Sequence, residues 1–147
     1  MALGARSSVR CIGCGALMPE VDGPGPTHAY MPASQGCWQL YGEMAAREYG
    51  DPAYRTSGRQ IVDAYAVQHT GINERRTAQS VWVHLISLCL VLEHGLAVED
   101  SIRAMRRVVA GRPTFAWLPP PPSLGEVTVI DLHAATTAAQ HTAIARR

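Results

Sequence analysis

Lysine is missing from this 147-residue chain; all 13 basic residues are arginine. Its absence excludes Schiff-base chemistry, a lysine-anchored pyridoxal phosphate and the Walker lysine that grips nucleotide phosphates. Aromatic residues are scarce at 6%, and the net charge is only +1. Nucleic acid and anionic membranes need a basic field and stacking platforms, so neither is an expected partner. Long apolar runs are lacking too. The longest, residues 81–92, is interrupted by His84 and Ser87 and is too short to span a bilayer. Residues 1–10 hold no apolar stretch of the secretory type, which predicts a cytoplasmic, reducing compartment. The four cysteines are too few for a disulfide scaffold and read as thiols or metal ligands.

What is present is enough apolar residue, 47%, to bury a core at the size of one domain. The pattern predicts a mainly α, compact domain of four to five helices with an irregular, zinc-stapled N-terminal segment. Residues 1–36 are rich in Gly, Pro and Ser and form the loop-rich metal-binding part. Residues 37–110 form the helical core. A first helix starts near Cys37 and stops at Gly50-Asp51-Pro52. A second covers 58–69, and a third opens at Asn73 and runs to His94-Gly95. The third is expected to be central, with Val81, Leu85, Leu88 and Leu92 as its inward stripe. A fourth fits 98–109, its Arg103, Arg106 and Arg107 forming a solvated face. Residues 111–127, including four consecutive prolines from Pro119, make a stiff connector across the surface. Thr128 and Asp131 suit a capping box that launches a last helix over 128–147; a strand at 127–130 is the competing reading.

Cys11-Ile12-Gly13-Cys14-Gly15 carries the clearest chemistry. Two sulfurs three positions apart, followed by glycine, make the tight knuckle that offers both to one tetrahedral zinc. A redox CxxC would need a preceding strand and a helix opening within the motif, which glycine and proline oppose here. The second CxxC of a zinc ribbon is missing. Cys37 is the remaining convenient sulfur, although a small buried residue at a helix start is its plainer reading. Cys89 sits among leucines and reads as a core thiol. The fourth ligand is then a histidine, a carboxylate or water, and His69 and His28 are the candidates. A protein ligand there makes a closed structural site; water makes a catalytic one.

His69 shares a helical face with Tyr65, four positions earlier, and its plainer role is to neutralise a helix C-terminus. Asp63 is six positions from His69 and points elsewhere. His84, with Ser80 and Ser87 at i−4 and i+3, traces a thin polar line on the most apolar helix. A buried imidazole there is either a satisfied core residue or a group facing a pocket. His84, Asp63 and Tyr65 are therefore the candidate acid–base residues. His94, His133 and His141 read as surface residues.

Several segments taken together resemble a bacterial family of unknown function. They are CIGCGALMP from Cys11, DGPGPTHAY from Asp22, GCWQLYGE from Gly36, VDAYAVQHTG from Val62 and QSVWVHLISL from Gln79. A weaker match is LPPPPSLGEVTVIDL from Leu118. The resemblance implies no reaction. It does imply that Cys11, Cys14, His28, Cys37, Asp63, His69 and His84 belong to shared motifs. Thr70 departs from the family pattern, which has proline there. The functional expectation is a zinc-binding protein acting on a small molecule, by hydrolysis, hydration, elimination or cyclisation. The alternative is a non-enzymatic module in which structural zinc supports binding of a protein or small ligand.

Overall fold

A computed structural model describes residues 7–147. Residues 1–6, most of the stretch read above for a secretory pattern, lie outside the described residues. The described residues are mainly helical, with a single two-stranded antiparallel hairpin among them. Strand β1 (Ser8–Arg10) pairs with β2 (Leu17–Pro19), placing Val9 opposite Met18. The helices are α1 (Gln35–Gly50), α2 (Gly58–Gln68), α3 (Arg75–Leu92), α4 (Val98–Ala110), α5 (Val129–Ala134) and α6 (Ala138–Ala145). A 3-10 turn, Pro52–Ser57, joins α1 to α2. No described helix is long and apolar enough to cross a membrane.

The helix ends follow local chemistry. Ser34 caps α1, its hydroxyl accepting from the Cys37 amide at 3.3 Å. Asp51 ends α1 and caps the 3-10 turn that Pro52 opens. Helix α3 begins one residue later than expected. Glu74 rather than Asn73 is its cap, with the Glu74 amide donating to Thr77 Oγ1 at 3.1 Å. The capping box at Thr128 is present, its amide donating to Asp131 Oδ2 at 2.7 Å, and it opens a helix instead of a strand. The expected single last helix is broken in two. Thr137 turns extended and caps α6 by accepting from the Gln140 amide, which stops α5 at Ala134.

The core differs from the expectation in position. It lies between the hairpin, α1, α2 and α5, where Met18, Met44, Ile61, Tyr65, Val129 and Leu132 pack together. Helix α3 is a flank. It packs against α2 and α4, and part of its surface is left exposed. Leu85 and Leu92 are therefore exposed, the latter at 67%, and Cys89 on the same side is exposed rather than a core thiol. His141 reverses the other way. It is wholly buried, and its Nε2 bonds Glu48 Oε1 at 2.8 Å, tying α6 to α1. Arg47 holds the other end of this layer, donating to the carbonyls of His133 and Ala135. The proline-rich connector is fastened by Trp82 Nε1 to the Ala116 carbonyl at 2.7 Å, and by Gln68 to Leu124 and Val127.

Candidate metal centre

The knuckle is the tip of the hairpin. Residues 11–16 join β1 to β2, closed by the Cys11 amide on the Ala16 carbonyl at 2.8 Å and the Gly15 amide on the Cys11 carbonyl at 2.9 Å. Gly15 has φ +76°, a conformation that side chains rarely adopt. Gly13 is required for a different reason. A Cβ there would come within 2.2 Å of His69 Cδ2 and 2.4 Å of the Pro32 carbonyl oxygen. The hairpin tip can lie against α2 only because residue 13 has no side chain.

Two further elements complete the cluster. Cys37 stands in the first turn of α1, where the helix dipole favours a thiolate. His69 stands at the C-terminus of α2, and its Nδ1–H donates to the Tyr65 carbonyl at 2.7 Å. That bond satisfies a carbonyl at the helix end and leaves Nε2 for a metal, as in ligating histidines generally. Cys11, Cys14, Cys37 and His69 thus bring their ligand atoms within 4.8 Å of one another. His69 Nε2 is 3.5 Å from Cys11 Sγ and 3.4 Å from Cys37 Sγ, and the sulfurs of Cys14 and Cys37 are 3.9 Å apart. A tetrahedral ion bonded at about 2.3 Å to sulfur and 2.0 Å to nitrogen spaces its ligands about 3.5–3.8 Å apart. The three distances given lie close to that spacing, and the donor set could hold a metal ion.

The surroundings are also those of a charged sulfur cluster. The Ser34 amide approaches Cys11 Sγ at 3.4 Å. Tyr65 Oη lies 3.4 Å from Cys37 Sγ, and its ring stacks on His69 with centroids 4.0 Å apart. Burial, with the Cys37 contact adding to it, pushes the Tyr65 hydroxyl well above its usual range, so Tyr65 keeps its proton. Hydrogen bonds from Cys14 and Cys37 pull the Cys11 thiol far down, while Cys11 and Cys14 push Cys37 far up. Burial opposes charge on His69, yet the adjoining thiols outweigh it and hold the ring near 9. The groups therefore perturb one another's ionisation, and a divalent cation bound to all of them would take the place of their protons.

The remaining candidate residues divide. His28 is not brought to the cluster: its ring packs edge-on against Tyr30 and Trp38, and burial lowers its pKa. Tyr65 belongs to the metal centre instead of to His84. Asp63, two residues from Tyr65 and so about 200° round α2, faces α3. There its Oδ1 accepts from His84 Nδ1 at 2.7 Å and its Oδ2 from Ser87 Oγ at 2.6 Å. Arg59, one turn earlier, bonds the same carboxylate at 3.1 and 3.2 Å. Ser87 was visible in the polar line. Arg59 was missed, although its i,i+4 spacing to Asp63 was a readable signal. Ser34 was missed as a sulfur donor, because that contact spans 23 residues.

A small helical domain with a three-cysteine, one-histidine cluster is the class that fold and geometry define. Comparison with family models matches residues 9–147 to the Family of unknown function DUF5946, and the chain belongs to that family. No curated protein matches the chain. No solved structure matches it either.

Proposed function

We propose that the protein binds one zinc ion through Cys11, Cys14, Cys37 and His69, and that this zinc is a structural staple. The observation that carries the reading is that four protein atoms from three separate elements converge within 4.8 Å. Catalytic zinc keeps a position for water, whereas a fourth protein ligand closes the shell. Cys11, Cys37 and His69 are each at most 2% exposed, which favours closure. The staple has a clear physical task. Residues 7–34 contain two three-residue strands and otherwise irregular chain, too little to order itself by burial. Three sulfurs and an imidazole join that segment to α1 and α2 at one point. In this reading the domain is a cytoplasmic module for a small-molecule ligand.

The metalloenzyme reading is supported by one feature: Cys14 is only half-buried, so its sulfur is the ligand a substrate could displace. Cobalt substitution separates the two. The visible spectrum of a closed Cys3His site is unchanged by added azide or cyanide. A ligand-dependent spectrum would establish an open metal and overturn the staple. Metal analysis of the purified protein tests the common premise, with about one zinc per chain expected, and a metal-free protein of unchanged stability would refute it.

A further inference from the structure

We propose that the groove above α3, between Tyr30 and His84, is a binding site for a phosphate group on a small molecule, with His84 Nε2 placed to exchange a proton with it. The site is separate from the metal cluster and does not depend on what that cluster holds.

The geometry begins with Asp63. Its carboxylate is 1% exposed and fully bonded, by Arg59, Ser87 and His84. Such a carboxylate is a fixed acceptor. It sets the His84 tautomer, because only Nδ1–H can donate to it. Nε2 is then the basic nitrogen of the neutral ring, and no described residue bonds it. The His84 side chain is 19% exposed and lines a groove of about 580 Å³. A histidine needed only for packing has no use for a buried carboxylate behind it and an open cavity before it.

The walls of the groove specify the ligand. Arg75 and Arg76 line it from the first turn of α3, and among the described residues neither pairs with a carboxylate. Gln79, Ser80, Val83 and Tyr30 complete the lining beside His84. Two unpaired guanidiniums, an amide and the Ser80 hydroxyl make this wall rich in donors. Two guanidiniums match the higher charge and three terminal oxygens of a phosphate better than the single charge of a carboxylate. When the bound group is a monoanion, its O–H proton passes to Nε2. The imidazolium formed is stabilised by the Asp63 carboxylate, and no other bond changes.

The test uses the full chain and inorganic phosphate as probe. The His84 ring resonance, assigned with His84→Gln, is followed by NMR at constant ionic strength. Phosphate should shift it saturably, and Arg75→Gln with Arg76→Gln should weaken the apparent affinity by about tenfold or more. Both arginines are exposed, so the double variant should keep its fold and its metal. No shift with phosphate, or an equal shift with chloride, would overturn the site. An equal response to acetate would overturn its assignment to phosphate. Unchanged affinity in the double variant would do the same for the arginines. A wild-type result surviving after metal analysis has refuted zinc would leave this site standing alone.

Discussion

The two polar centres of this protein share helix α2 and differ in every other respect. On one side, Ile61, Tyr65 and His69 follow each other at four-residue spacing and face the hairpin and α1. On the other, Asp63 faces α3. In the staple reading the first centre is closed: its imidazole has one nitrogen on a backbone carbonyl and the other among sulfurs. The second is half open: its imidazole has one nitrogen on a buried carboxylate and the other uncommitted beside a groove. A closed shell can hold segments together but offers nothing to a ligand. An open one can accept a ligand but fastens little. The same residue type thus serves opposite ends according to what its second nitrogen meets.

That contrast can be broken most strongly at the metal. Cys37→Ala, or chelation of the intact protein, should release the ion and cost about 3 kcal/mol or more, roughly 10 °C in Tm. Metal analysis beside a thermal melt checks this, and a full-length cooperative melt at the original temperature would deny the staple. The His84 ring resonance should persist in the folded fraction, since α3 and α2 pair without the hairpin. Gly13→Ala comes next. Its Cβ would strike His69 and the Pro32 carbonyl, so we expect about 2–3 kcal/mol of destabilisation and weaker zinc retention, read by competition with a chelator.

His84→Leu should do the reverse. Zinc content should be unchanged, and stability should fall by about 1–2 kcal/mol, because the buried Asp63 carboxylate loses one of its donors. Loss of zinc in this variant would show that the two centres are not independent. The smallest effect belongs to Cys89→Ala. This cysteine is exposed on the far side of α3, so metal content should be unaltered and stability should change by less than about 0.5 kcal/mol. Metal loss there would mean that the sulfur ligands are misassigned.

Much of the helical layout was legible, because capping and proline stops act within a few residues. Gly50-Asp51-Pro52 and the Thr128–Asp131 pair mark ends that the structure also shows. The errors came where one apolar pattern admits two outcomes. The leucines of α3 have a helical period, but a period does not say whether a neighbouring element will cover them. Leu85 and Leu92 face outward because α2 and α4 take up the other sides of the helix. His141 was misread for the same reason, since only the docking of α6 onto α1 brings Glu48 to it.

Within the candidate metal centre, sequence alone determined that Cys11 and Cys14 converge. A three-residue spacing with glycines admits few backbone paths, and nearly all aim both sulfurs at one point. It also determined the helical frame and the absence of lysine chemistry. Only the tertiary structure decided between His69 and His28 as the fourth member, and only it joined Asp63 to His84 across 21 residues. Local spacing dictates local geometry through bonded constraints. Partners far apart in the chain meet through packing, and packing depends on every surface buried at once.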